Sequence, residues 1–405
     1  MTTLLRWVRG LSRRVPLTPL RFPTTGFDVI NDPYIIEEEQ FDEFEKGHFY
    51  PVRIGDVYAS KYQILGKLGF GSTSTVWLAR NLQEHSHVAL KIYAREARHK
   101  DEFLMYKRLS EASRSHPGSR HIATASDTLI LPRPGGDHHC LVQKPMWDSW
   151  RDLLYRNPAN RFSDDLLKEG LKQLFLALDF LHTECRIIHT DIKADNILLD
   201  IADNSILDAF TKAELETPTP RKITEEYTVY LSRQFELPKE FGDVLLSDFG
   251  AAVSGNEKRN HIAQPNVYRS PEVMLRVEWS YPVDIWNVGV MIWDVYEGRH
   301  LFNGDDTERQ DYSTRAHLAE IIGLLGPPPV DLIQKGARSS EFFTGDGEWQ
   351  AGVEVPKDTS LEKSVHYLEG KEKQAFLKFV RGMLQWRPED RKTAKQLLDD
   401  PWLNH

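Results

Sequence analysis

The sequence predicts an α+β protein of two lobes, sheet-rich to about residue 145 and mainly helical beyond it. Three observations carry that prediction. From Tyr62 to Tyr93, apolar and β-branched residues fall into three runs, broken by a Gly/Ser/Thr turn and by the polar stretch Asn81 to His87, as in a small antiparallel sheet. Beyond Ser163, helical periodicity recurs over long segments, among them Val283 to Glu297, Arg315 to Leu325 and Lys371 to Leu384. The third is size: 405 residues, 40% of them hydrophobic, suffice for one large core or two medium ones.

Each element follows in turn. Residues 1–47 read as an extension, basic at first, with Arg6, Arg9, Arg13, Arg14 and Arg21 and no acid before Asp28. A basic unordered tail is the first reading and a mitochondrial presequence the alternative. Glu37-Glu38-Glu39, Asp42, Glu43 and Glu45 then predict an acidic linker on the domain surface. After the three strands, Arg95 to Glu111 has helical spacing that lets Phe103, Tyr106 and Leu109 share a face, and strands are expected around Leu129 and at Cys140 to Gln143. Ser163-Asp164-Asp165 caps a long amphipathic helix running to His182. Residues 201–243 fit no period, mixing Asp, Thr, Pro and Lys around Thr217-Pro218-Thr219-Pro220, and read as an insertion into the helical lobe of residues 146–405.

Composition narrows function. A net charge of -9 argues against broad nucleic-acid binding and leaves acidic surface for basic partners. Two cysteines, Cys140 and Cys185, make neither a disulfide framework nor a zinc site and fit a reducing compartment. No apolar run approaches the roughly 20 residues that cross a bilayer, so no membrane partner is expected.

Chemistry concentrates in a few motifs. Leu68-Gly69-Phe70-Gly71-Ser72-Thr73-Ser74-Thr75-Val76 spans the first hairpin, where glycines let backbone close over phosphates; alone, a glycine-rich hairpin is weak. Val88-Ala89-Leu90-Lys91 places a lysine on the third strand, and an inward ammonium needs anions. Ile188-His189-Thr190-Asp191-Ile192-Lys193-Ala194-Asp195-Asn196 is the most specific segment, followed by Asp248-Phe249-Gly250 and Ser270-Pro271-Glu272. A solvated loop is the commoner fate of any one aspartate. The order of the whole set argues against that here.

These motifs resemble the protein kinases, in the order of glycine loop, strand lysine, catalytic loop and Asp-Phe-Gly. The resemblance implies a bilobal protein-kinase fold with ATP in the cleft and Mg2+ as cofactors. It makes Asp191 the residue that accepts or orients the substrate hydroxyl proton, and Lys193 the partner of the γ-phosphate. Asn196 and Asp248 become the metal ligands. Leu68, Gly69, Gly71, Val76, Ala89 and Lys91 would hold the nucleotide, together with Lys144 and Met146 at the connection between lobes. Glu102 is the expected carboxylate partner of Lys91, with Glu96 the competitor. His189 would hold the loop backbone, Asp284 would support the catalytic loop, and Glu272 would pair with Arg391.

Within that group the chain resembles the SR-protein kinases over about residues 48–403. The match runs through Tyr50-Pro51-Val52-Arg53-Ile54-Gly55-Asp56-Val57-Tyr58, Ser74 in place of a third glycine, and Thr190 where most kinases have arginine. Leu324-Leu325-Gly326 and Ser340-Glu341-Phe342-Phe343-Thr344 repeat that family's helical insert, here about residues 305–365. The resemblance implies a monomeric serine/threonine kinase acting on protein substrates, Arg/Ser-rich splicing factors among them, in cytoplasm and nucleus. A LAMMER-type dual-specificity kinase and an inactive scaffold are the alternatives. Thr190 cannot bind an activation-loop phosphate, so activity without that phosphorylation is expected. Two departures bear on specificity: Ala316 and Gly323 stand where docking acids are expected, with Asp305, Asp306, Glu308 and Asp311 nearby. Gln143 is polar where the back of the adenine pocket is usually apolar.

Overall fold

The structure is a computed structural model that describes residues 15–31, 33–95, 100–224 and 227–404. Arg6, Arg9, Arg13 and Arg14 of the basic tail, and Glu96, lie outside the described residues. The chain divides into two compact units, residues 1–97, 125–145 and 203–238 in the first and residues 98–124, 146–202 and 239–405 in the second.

The first unit is built on a six-stranded antiparallel sheet of β1 (Val57–Tyr58), β2 (Tyr62–Gly71), β3 (Ser74–Asn81), β4 (Ser86–Tyr93), β5 (Ala125–Leu131) and β6 (His138–Gln143), ordered β1-β2-β3-β4-β6-β5. Alternation decides its faces. Tyr62, Ile64, Trp77, Ala79, Val88, Leu90, Ile92, Cys140 and Val142 form one buried cluster. Because Val76 stands opposite Lys91, and Lys91 opposite Leu141, those three share the other face, with Ala89 two residues along the same strand.

Two segments differ here from the sequence reading. The insertion joins the first unit rather than the helical lobe: its helix Ser205–Glu216 packs on β2 and its hairpin, Arg221–Ile223 with Thr228–Tyr230, carries Val229 and Tyr230 buried. The physical reason is an apolar face, Leu207 and Phe210, that its polar composition conceals. Nor is the acidic segment a surface linker. Glu37–Gln40 forms a 3₁₀ turn whose carboxylates meet cations of β2 and the insertion: Lys67 with Glu38 and Glu37, Lys222 with Glu39. Glu214 of the insertion helix answers Arg221 and Arg233, so four buried or half-buried carboxylates face four cations. The expected boundary at residue 145 holds a further difference, since the helix Lys100–Glu111 falls in the second unit.

The second unit is mainly helical. Asp164–Phe180 starts at Ser163, whose hydroxyl accepts from Leu166 N and so satisfies a free helix N–H. Pro282–Tyr296 is apolar on nearly every side and buried from Val283 to Trp293, which marks it as the core helix. Gly370–Arg381 closes the core through Phe376 and Phe379, both against Trp402. A three-stranded sheet, Val244–Leu246, Ile197–Asp200 and Met146–Ser149 in that order, carries the loops of interest. Cys140 and Cys185 are both free and buried, and burial pushes the Cys185 thiol up to about 12. No described helix is long and apolar enough to cross a membrane.

Candidate active site

In the first unit the glycine-rich turn is the β2–β3 hairpin, with Gly71 opposite Ser74 and Gly69 opposite Val76. Neither Gly69 nor Gly71 has a positive φ, so the turn itself does not demand glycine. Space is the reason instead. A Cβ on either would meet no protein atom within 4 Å, leaving room for a ligand against bare backbone. Val76, Ala89 and Lys91 lie on one sheet face, Leu68 is half-buried beside the turn, and Lys91 Nζ stands 5.2 Å from the Tyr93 ring centre. Gln143 ends β6 opposite Ala89, 7% exposed, and Lys144 after it is exposed.

In the second unit, Ile197 pairs with Leu246 antiparallel, so Asn196 and Ser247-Asp248 leave their strands at the same end. Ser247 N and Oγ both bond Asn196 O, at 2.9 and 3.0 Å. Asn196 Nδ2 donates to Asp191 O and to Asp191 Oδ2, each at 2.8 Å, which turns its amide oxygen away as an acceptor. Lys193 Nζ lies 3.3 Å from Asp191 Oδ2. The other oxygen, Asp191 Oδ1, is out of solvent contact with no hydrogen-bond partner among the described residues. An acceptor left so is placed to receive a substrate hydroxyl. Met146, at the start of this unit's sheet, stands opposite Asp200.

The loop is held from beneath by one buried carboxylate. Asp284 accepts from His189 N at 2.9 Å, Thr190 N at 2.8 Å and His182 Nε2 at 2.8 Å. His189 Nε2 contacts Ser247 O at 2.9 Å while Asp191 N donates to His189 Nδ1, so both ring nitrogens are engaged and the ring orientation is fixed. Thr190 has φ 66° and Asp248 φ 60°, costly backbone for non-glycine residues that the surrounding bonds hold in place. The Thr190 hydroxyl donates to Ala251 O at 2.9 Å, joining the loop to the segment after Asp-Phe-Gly.

Glu102, 2% exposed, reaches that same turn: a Cβ on Gly250 would lie 3.3 Å from Glu102 Oε2 and 3.2 Å from Asp248 Oδ1. Phe249 is wholly buried between the rings of Tyr106 and His189. Glu272 and Arg391 form a two-pronged pair at 2.6 and 2.7 Å with both side chains sealed from solvent. The structure thus brings Asp191, Lys193, Asn196 and Asp248 together with Glu102 in the second unit, and Val76, Ala89 and Lys91 with the glycine-rich turn in the first. No cluster of three His, Cys, Asp or Glu suited to a metal occurs among the described residues. One carboxylate and one amide oxygen, Asp248 and Asn196, fit a Mg2+ ion that takes its remaining ligands from phosphates and water.

The acids around the helix Thr314–Leu325 differ in availability. Asp306 is buried and gripped by Arg315 at 2.6 Å, which holds its carboxyl well below the usual range, and Glu308 pairs with the same guanidinium. Asp305 and Asp311 remain exposed. Sequence reasoning missed Lys67 and its partners. The available signal was a lysine inside the apolar run Ile64-Leu65-Gly66-Lys67-Leu68 and a glutamate triplet upstream.

The model of the protein kinase domain matches residues 62–403. A serine/threonine protein kinase of Aspergillus fumigatus is 42% identical over 394 residues, covering 96% of each chain. The serine/threonine-protein kinase SRPK of Physarum polycephalum is 30% identical, covering 92% of each. The human dual specificity protein kinase CLK4 is 26% identical, covering 90% of this chain and 70% of its own.

Proposed function

Since this chain belongs to the protein kinase family and is an SRPK-like serine/threonine kinase of bilobal α+β fold, we propose that it transfers the γ-phosphate of ATP, with Mg2+, to serines of Arg/Ser-rich proteins such as splicing factors. The observation that carries the transfer step is the Asp191 carboxylate. One oxygen is occupied by Asn196 and Lys193 while the other is buried and empty-handed. In the second unit Asp191 Oδ1 takes the hydroxyl proton, Lys193 offsets phosphate charge, and Asp248 and Asn196 would hold the Mg2+ ion, which would supply further positive charge to the phosphates. In the first unit the backbone at Gly69 and Gly71 covers the phosphates and Lys91 binds them, beside Leu68, Val76 and Ala89. Lys144 and Met146 supply main-chain groups to the adenine. Catalysis is then mainly positioning and charge stabilisation.

For the substrate, Asp305 and Asp311 are the acids that offer charge to an arginine-rich tail, because Arg315 already consumes Asp306 and Glu308. Cytoplasm and nucleus are the proposed compartments, and the basic residues 1–21 as a presequence the lesser alternative.

The test is ATP-dependent phosphorylation of an Arg-Ser-repeat peptide and a generic basic peptide, with Asp191→Ala and Lys91→Met beside wild type. Expected is a preference for the Arg-Ser peptide, with turnover reduced at least about 10²-fold in both variants. Equal use of both peptides would overturn the substrate assignment, and transfer undiminished in Asp191→Ala would overturn the catalytic one.

A further inference from the structure

The glycine-rich turn is flanked by charge that phosphoryl transfer does not use. Lys67 sits one residue before Leu68, its side chain wholly sealed from solvent. A buried ammonium persists where carboxylates and carbonyls meet it. Glu38 caps it directly, Glu37 Oε2 lies 3.2 Å away and Tyr230 O accepts at 3.1 Å. All three partners come from outside the hairpin, two from the acidic turn Glu37–Gln40 and one from the insertion. The two sources are tied to each other, since Ser232 N and Oγ donate to the Glu37 carboxylate at 2.9 and 2.7 Å.

The same construction reaches the tip. Phe70, between the two glycines, has its ring 5.2 Å from Lys67 Nζ and 6.2 Å from the ring of Phe41, the residue that ends the acidic turn. The strand itself is shaped to receive it. Pairing of β2 with β3 shifts register on both sides of Gly66-Lys67, and Arg233 N of the insertion donates to Lys67 O at 2.9 Å. A Cβ on Gly66 would stand 2.7 Å from the buried Phe210 ring, so glycine is what admits the insertion helix.

We propose that the acidic turn and the insertion form a fixed brace on the glycine-rich turn, in which Glu38, Lys67, Phe41 and Phe70 are positioning residues for the nucleotide phosphates. The proposal rests on the reading of that turn as the nucleotide cradle. A glycine-rich hairpin left to itself samples many conformations, and the ligand's apparent affinity falls by the fraction that is competent. A braced hairpin avoids that loss. The effect belongs on nucleotide affinity and KM for ATP rather than on the chemical step.

The experiment uses the full chain and two substitutions of different character, Glu38→Gln within the buried pair and Phe41→Ala at the half-buried contact, with Phe41→Tyr as the conservative control. A fluorescent ATP analogue gives nucleotide Kd and dissociation rate independently of turnover, and steady-state kinetics give KM for ATP, KM for peptide and kcat. Thermal unfolding of each variant is recorded alongside. Expected is a rise of about tenfold in Kd and KM for ATP in Phe41→Ala, as for a hairpin competent a tenth of the time. Glu38→Gln rises likewise, Phe41→Tyr restores wild-type affinity and KM for peptide holds. Variants that melt earlier yet bind the analogue as wild type does would overturn the brace as a positioning device and leave the cradle intact. A wild-type protein that binds no analogue would overturn the cradle, and this inference with it.

Discussion

Thr190 combines two features that pull against each other, a β-branched side chain and φ 66°. The conformation persists because Asp284 takes its N–H and Ala251 its hydroxyl. That hydroxyl does, within the second unit, what an arginine bound to an activation-loop phosphate does elsewhere, joining the catalytic loop to the segment after Asp-Phe-Gly. Phosphatase treatment should therefore leave activity unchanged. Thr190→Val, which keeps the shape and removes the donor, should lower kcat roughly fivefold, in keeping with the ~1 kcal/mol of one neutral hydrogen bond. Peptide phosphorylation before and after phosphatase checks the first statement, and loss of most activity would contradict it. Thr190, Asp191, Lys193 and Asn196 could be picked out together because the loop is one contiguous segment, and Lys193 and Asn196 do both contact Asp191. Gly69 and Gly71 were legible by position, but their reason was not: sequence cannot separate a glycine kept for its φ from one kept for bare space.

At the scale of elements, the helix Thr314–Leu325 shows how burial rewrites a surface reading. Periodicity places the helix, yet Asp306 disappears into Arg315 and His317 becomes a core residue between Phe302 and Tyr312. Desolvation, aided by nearby Arg269, pushes the His317 ring down to about 3, and Tyr312 Oη lies 3.1 Å from its Nδ1. The unfolded chain takes up this proton near pH 6.5 and the folded one does not until about 3. Its stabilising contribution is thus complete above pH 6.5 and is lost as pH falls toward 3. The slope is on the order of 1.4 kcal/mol per pH unit. Urea unfolding at pH 7, 6 and 5 should show wild type losing stability faster than His317→Gln by about that increment, and parallel curves would rule the assignment out. The insertion was illegible for a related reason. Its hairpin is held by contacts remote in sequence, with Lys222 bonded to Glu39 across 183 residues, and no local pattern reports such a pairing.

For the whole molecule, the consequence is that the described part of the extension, from residue 15 onward, belongs to a folded unit. Leu17 N donates to Leu82 O, Gln63 exchanges bonds with Leu20, and Arg221 both donates to Asp28 O and accepts from Ile30 N. Those are uncharged contacts, backbone to backbone except for the Gln63 side-chain amide. The acidic turn differs in kind, because its three carboxylates meet Lys67 and Lys222, whose side chains are 0% and 11% exposed. Removing one partner of a buried pair typically costs about 3–5 kcal/mol by leaving the other charge unmatched. A domain holds in total only about 5–15 kcal/mol. Two truncations should then behave very differently. A chain begun at residue 15 keeps every contact above and should melt within a few degrees of the full chain. A chain begun at residue 48, at the start of the sequence resemblance, strands two ammonium groups and should lose its cooperative transition or its solubility. Adding Lys67→Met and Lys222→Met to the shorter chain removes the stranded charges and should recover soluble protein. Because the added substitutions leave neither ammonium stranded, recovery would assign the damage to the unmatched charges, whereas continued insolubility would assign it to the lost ring contacts of Phe41 with Phe70 and of Phe44 with Phe49 and Tyr227.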